Sequence, residues 1–422
     1  MDANSFLNDG RILPEDVLDA LVNLKQLVFE VTDACNLKCK YCAYGELYFG
    51  YDKRSESFLS IDKGKAMIDY LCSIWNSHAP NAARPVTYIS FYGGEPLMNM
   101  NFIEEIVAYV EEKNAKREFI FAMTTNGILL DRYIEYLADH GFNLLISLDG
   151  DSQANAHRVT HAGESSFERV YANVRRIQQI YPYYFREHVN FNTVLHNLNS
   201  VSSSYKFFLD EFGKETTISE LNTSNIREDK VEEFLFLYKN KSESIANAPE
   251  REELASRLMM GNPKTYDLLI YLHQYSGNVY KNYSDLFINR EQHHFCPTGT
   301  CIPFGKKMFV TVSGKVLQCE KIAQHYALGH IDENNKVVLN FDEITTRFNA
   351  CLDKMQPQCS RCFRKQSCSQ CLYYIHGIDG SHPKCQAFMG KAAFNGYVGE
   401  CLSHLYDHPE LYEKLLRDII VD

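Results

Sequence analysis

The chain has 422 residues, 45% of them hydrophobic, and a formal net charge of -11. A chain this long can bury a sizeable core in more than one domain, and its acidic balance argues against non-specific nucleic-acid binding, which needs a basic surface. It has no apolar run of about 18 residues and no basic start with an apolar core, so neither a membrane span nor a signal peptide is expected and a cytoplasmic location follows.

Fourteen cysteines in a reducing compartment point to metal binding rather than to the disulfide framework of short secreted chains. Residues 1–25 read as an N-terminal extension. From 26 to about 225, short apolar runs alternate with amphipathic stretches, the rhythm of repeated βα units around a parallel sheet. Strands are expected at 27–32, 86–92, 119–125, 144–147, 189–194 and 216–221, and helices at 61–75, 101–113, 131–139 and 167–180. Polar residues fall just after the strands, where loops of an α/β sheet converge on a site. Residues 226–290, charged and tyrosine-rich, read as a helical bridge. Residues 291–400 carry most of the cysteines and a hairpin signal, 308–312 and 315–318 around Ser313-Gly314. Such a segment builds little hydrophobic core, so bound metal is expected to organise it. Residues 401–422 read as a C-terminal helix.

Just after the first strand comes Cys35-Asn36-Leu37-Lys38-Cys39-Lys40-Tyr41-Cys42. Cluster ligation normally takes four cysteines. A trio with no fourth nearby therefore suggests a [4Fe-4S] cluster with one open iron, while a zinc site completed by a distant ligand, or plain burial, is the simpler alternative. After the second strand comes Tyr92-Gly93-Gly94-Glu95-Pro96, after the third Thr124-Thr125-Asn126-Gly127, and after the fourth Ser147-Leu148-Asp149-Gly150. Paired glycines permit close backbone approach, and a carboxylate accepts from an ammonium group.

These motifs, over roughly residues 26–221, resemble those of the radical S-adenosylmethionine (SAM) enzymes. The resemblance implies a partial (β/α)6 TIM-like barrel in which Cys35, Cys39 and Cys42 bind a [4Fe-4S] cluster whose open iron is chelated by SAM. Tyr41 would border the adenine, and Gly93, Gly94 and Glu95 would receive the methionine amino group. Asn126 and Ser147 become candidate SAM contacts, against plainer roles as a helix cap and a strand end. Arg158, in Asn155-Ala156-His157-Arg158, could pair with the SAM carboxylate or be a surface arginine.

The later cysteines read Cys296-x4-Cys301, Cys319, Cys359-x2-Cys362-x5-Cys368-x2-Cys371 and Cys385. A zinc ribbon would account for the last five. With the upstream motifs, however, the segment resembles a SPASM domain, which holds two auxiliary [4Fe-4S] clusters. The family pattern would place Cys296, Cys301, Cys319 and Cys371 on the first, and Cys359, Cys362, Cys368 and Cys385 on the second. The family commonly has three residues between the third and fourth cysteines of the late run; here there are two, between Cys368 and Cys371. Cys72, Cys351 and Cys401 fit neither set.

The resemblance implies reductive cleavage of SAM to a 5'-deoxyadenosyl radical that abstracts hydrogen from a substrate, with a ferredoxin or flavodoxin as low-potential electron donor. Glu320, directly after Cys319, stands where sulfatase-maturing relatives carry an aspartate, and is the candidate catalytic base unless it merely pairs with Lys321 or another cation. SPASM-bearing enzymes act mostly on peptides, so a ribosomally made precursor peptide is the expected substrate, modified by a crosslink, a thioether or epimerisation. Cys35 leaves no room before it for a winged-helix leader-binding module, so a separate leader-recognition protein or the helical bridge would take that role. The alternatives are a formylglycine-generating sulfatase maturase and, in another class, a non-catalytic iron-sulfur peptide-binding or electron-transfer protein.

Overall fold

A computed structural model of the chain describes residues 11–113, 115–257, 263–275 and 300–417. They form two compact units. The first comprises Glu15–Ala248 and Ile302–Phe341; the second comprises the described residues before Glu15 and those of Pro249–Cys301 and Asp342–Asp422.

The first unit is built on one ten-stranded sheet. Six parallel strands run in sequence order, β1 (Gln26–Thr32), β2 (Val86–Gly93), β3 (Glu118–Thr125), β4 (Asn143–Ser147), β5 (Val189–Leu195) and β6 (Thr216–Glu220). The connecting helices are α1 (Pro14–Val22, before β1), α2 (Ile61–Ser77), α3 (Met100–Glu111), α4 (Leu130–Asp139), α5 (Phe167–Ile180), α6 (Pro182–His188) and α7 (Val201–Phe212). All six expected strands and four expected helices are present. Helices α1, α6 and α7 are additional. Before α7, which is not among the expected helices, Ser200 and Ser203 form a reciprocal capping box, and Gly213, in the left-handed region at φ 63°, closes the helix.

The sheet does not stop at β1. The expected hairpin forms as β7 (Met308–Val310) and β8 (Lys315–Leu317), and β9 (Gly329–Ile331) and β10 (Val337–Leu339) continue it in antiparallel order. Strand β7 lies parallel to β1, with Leu27 opposite Met308 and Phe29 opposite Val310. Buried Glu30 of β1 also accepts from the Val312 backbone N–H at 3.0 Å.

One face of the sheet packs on the helices through aromatic contacts. Phe29, Phe91, Phe142 and Phe121 stack in a row, and Phe191 meets Phe208 and Phe212. The opposite face is different. Barrel interiors are usually filled by branched apolar side chains, whereas here Gln26, Ser90, Ala122, Thr124, Asn143 and Asn190 are among the residues lining a cavity of about 350 Å³. Small residues at Ser90 and Ala122 leave the space, and polar neighbours keep it wettable. The result is a partial, barrel-like parallel sheet with an open interior.

Of the stretch read as one bridge, the helices Val231–Leu237 and Lys241–Ala246 belong to the first unit. The helix Pro263–Gln274 belongs to the second, where Leu268, Leu269 and Leu272 pack with Tyr397 and Cys401 of the helix Lys391–Asp407. Among the described residues, no helix is long and apolar enough to cross a membrane.

Candidate functional site

The cysteine trio occupies the loop leaving the C-terminal end of β1. Its backbone is tied on both sides: Lys38 N–H donates to the Val159 carbonyl at 2.7 Å, and Lys40 N–H to that of His157 at 3.1 Å. All three thiols are partly buried. Burial, with a smaller push from the neighbouring cysteine sulfurs and, at Cys39, a pull from Arg158 the other way, raises the Cys35 thiol to about 11 and Cys39 to about 12. Without a metal these groups stay protonated; bound iron would supply the positive charge that makes them thiolates. The Cys35 sulfur also receives two donors, Leu37 N–H at 3.5 Å and the Asn126 amide at 3.8 Å, as a liganding sulfur would.

The glycine pair makes this loop possible. A Cβ on Gly93 would sit 2.2 Å from the Thr32 carbonyl oxygen and one on Gly94 1.9 Å from that of Ala34, and Gly93 has φ +138°. Through this gap Gly94 N–H donates to Thr32 and Glu95 N–H to Ala34, at 2.8 and 2.9 Å. Glu95 is fully buried, and its carboxylate accepts from the Thr125 hydroxyl and the Asn126 N–H, both at 2.7 Å, and from Leu97 N–H at 3.2 Å. Burial lifts it to about 7 although the three donors favour its charged form. Glu95 thus joins the ends of β2 and β3. Asn126 bridges to the cysteine loop, donating to Asn36 Oδ1 at 2.7 Å. Ser147 stands at the end of β4, opposite Asn192.

Tyr41 and Arg158 converge on a residue that the motif reading passed over. Asp149, buried and following β4, takes a two-point grip from Arg158, with Nε to Oδ2 and Nη2 to Oδ1 both 3.0 Å. It also accepts from the Tyr41 hydroxyl and, at 2.9 Å, from Val194 N–H. His196 Nε2 lies 3.4 Å from the same carboxylate, and its ring stacks on Tyr41 at 5.4 Å between centres. Burial would raise the Asp149 pKa, but Arg158 and His196 hold it down to about 2. Asp149 therefore remains charged and locks the aromatic residue of the cysteine loop to the ends of β4 and β5. Asp149-Gly150 looks in sequence like a turn; His196 carries no motif at all.

Glu320 lies at the wall of the sheet cavity with Tyr92 and Lys307. The Lys307 ammonium group pairs with it at 3.1 Å, and the Cys319 sulfur is 3.6 Å from Oε2. The cation beside Glu320 is thus Lys307. Tyr51 is within electrostatic reach of Cys319, Glu320 and Cys42.

In the second unit, Cys359, Cys362, Cys368 and Cys385 line a single small cavity of about 30 Å³. The Met389 N–H donates to the Cys362 sulfur at 3.5 Å, and Gln358 fixes the Cys385 backbone at 3.0 Å. Cys371 is not in this lining; it lies within electrostatic reach of Cys301, beside Thr300. Cys296 falls outside the described residues, and Cys319 belongs to the first unit. Cys72 and Cys401 are buried in helical cores and Cys351 is half-buried in the helix Phe341–Cys359. Zinc would draw four sulfurs to about 2.3 Å from one point, yet among the described residues no three Cys, His, Asp or Glu side chains converge on a single ion.

The Radical SAM superfamily pattern matches residues 29–202. The chain is 24% identical over 319 residues to an uncharacterised protein of Methanocaldococcus jannaschii, covering 75% of this chain and 92% of that one. It is 21% identical over 346 residues to the cysteine-type anaerobic sulfatase-maturating enzyme of Clostridium novyi, covering 77% and 81%. With the radical SAM cyclopropyl synthase TigE of Paramaledivibacter caminithermalis it shares 26% over 178 residues, 41% of this chain but 35% of that protein. The solved structure of native anSMEcpe with bound AdoMet has the same fold, with a TM-score of 0.59 and 16% identity across 93% of this chain and 99% of the other.

Proposed function

The chain is a radical SAM enzyme with a cysteine-rich C-terminal extension, and from that premise we propose that it is a maturase acting on a ribosomally synthesised peptide. The observation that carries this reading is the trio Cys35, Cys39 and Cys42 on a loop that closes against Gly93, Gly94 and Asn126. SAM at a [4Fe-4S] cluster supplies hydrogen abstraction from unactivated carbon when bound.

The protein's own contribution is positional. The Asp149 carboxylate holds Tyr41 and Arg158 in one orientation, where Tyr41 would border the adenine. The segment Gly93, Gly94 and Glu95 would receive the methionine amino group. Ser147 would add a polar contact, and Arg158 would reach a SAM carboxylate only by sharing the grip it has on Asp149. The polar cavity beneath would admit the target side chain next to Glu320, which, paired with Lys307, would accept the proton released in oxidation. An external one-electron donor of the ferredoxin or flavodoxin type and, for leader recognition, a separate protein complete the proposed system. The two auxiliary clusters would be held by Cys296, Cys301, Cys319 and Cys371, and by Cys359, Cys362, Cys368 and Cys385.

Anaerobic reconstitution followed by reduction with SAM present is expected to yield 5'-deoxyadenosine, and Ala at Cys35, Cys39 and Cys42 to abolish it. No product from the intact chain under several reductants would favour a non-catalytic role. Glu320→Gln is expected to retain this cleavage while losing at least tenfold in substrate oxidation. Full turnover with normal iron content would remove Glu320 from the chemistry. A formylglycine-generating activity is the second reading, favoured by the alignment with the Clostridium novyi enzyme across most of both chains. Sulfatase-derived peptides bearing cysteine or serine, assayed by mass spectrometry, separate the two.

A further inference from the structure

The cavity bounded by Cys359, Cys362, Cys368 and Cys385 has a cationic wall, for Arg364 and Lys365 line it as well. Arg364 is fixed from two directions. Its Nη2 donates to Asp267 Oδ1 at 3.0 Å, and its guanidinium carbon lies 5.0 Å from the centre of the Tyr397 ring. Its Nε is buried and has no hydrogen-bond partner among the described residues. A buried donor left unpaired carries a desolvation cost, so a retained one calls for an acceptor. Asp267 sits on the helix Pro263–Gln274, and just past its end the Tyr275 hydroxyl bonds Ser367 at 2.8 Å, in the turn that leads to Cys368. The same helix therefore anchors both the arginine and the cysteine-bearing turn.

Sulfurs of an iron-sulfur cluster accept hydrogen bonds, and such bonds together with nearby charge set its reduction potential. We propose that Arg364 Nε donates to a sulfur of the cluster held by these four cysteines, with Asp267 as the positioning residue that aims it, so that the pair sets this cluster's potential. This rests on the reading of an auxiliary cluster at this site. A cationic donor stabilises the more negative, reduced state, so it raises the potential.

The experiment uses the full chain with Cys35, Cys39 and Cys42 replaced by Ala, reconstituted anaerobically and titrated with EPR detection. Cys385→Ala in that background should lower iron by about four atoms per chain; unchanged iron would remove the cluster reading itself, independently of Arg364. With the cluster present, Arg364→Gln should move one potential to a more negative value at unchanged circular dichroism. Arg364→Lys, which keeps the charge, should move it less, and Asp267→Asn, which frees the guanidinium from its anchor, should also change it. Loss of one cluster from Arg364→Gln that Arg364→Lys retains would also support the proposal. Identical potentials in all variants, or equal cluster loss in both arginine variants, would reduce Arg364 to a structural ion-pair partner and overturn it.

Discussion

Asp149 gathers Arg158, the Tyr41 hydroxyl and the Val194 N–H in a buried site, with His196 alongside. A buried ion pair is not in itself a large source of stability, but removing one partner leaves the other charge uncompensated, at about 3–5 kcal/mol. Asp149→Asn strands Arg158 in this way. The expected outcome is a loss of stability of that order in denaturant titrations, together with weaker SAM binding as Tyr41 loses its acceptor. A change under about 1 kcal/mol would mean that water reaches Arg158 and that the knot is loose. At this scale the sequence was an uneven guide. Tyr41 and Arg158 could be singled out by their places in motifs, whereas Asp149 acquires importance from Arg158, 9 positions on, and from Tyr41, 108 positions away, and His196 from Asp149. The Lys307 partner of Glu320 lies only 13 positions away, but across the β7–β8 hairpin, where no motif marks the pairing.

At the scale of elements, the junction of β1 and β2 depends on two missing side chains. The methyl group of Gly94→Ala would meet the Ala34 carbonyl at 1.9 Å, backbone against backbone, and neither strand can retreat without breaking its ladder. We expect destabilisation on the order of 4 kcal/mol and loss of iron from the trio, read by chemical iron analysis. Gly396→Ala is the control: it lies in the helix Lys391–Asp407 with nothing within 4 Å of the added methyl, so it should be neutral or stabilising by up to about 1 kcal/mol. Equal behaviour of the two variants would refute the packing argument. The six parallel strands were legible because each is a short apolar run between turn residues, a local signal. Helix α7 was not, because its opening serines favour loops until two of them cap a helix.

For the whole molecule, the decisive contact of the first unit is β1 with β7, which joins residues about 280 positions apart. A chain truncated after Ala248 would lack β7 to β10 and expose the ladder edge of β1, an open template for pairing with other chains. Such a truncation is expected to aggregate or elute as large species in size-exclusion chromatography; a soluble monomer that still binds iron through the trio would show that β7 is dispensable. The sequence alone determined the cysteine spacings, the glycine pair, the order of βα units and hence the class of chemistry, since these are written in short runs and local periodicity. Only the tertiary structure decided that Asp149 holds Arg158 and Tyr41, that Lys307 faces Glu320, that the hairpin extends the central sheet, and that four of the later cysteines share one cavity with Arg364. Those pairings depend on how the chain folds back on itself, over 9 positions for Arg158 and Asp149 and about 280 for β1 and β7, and their energies come from burial and charge neutralisation that local sequence patterns do not express.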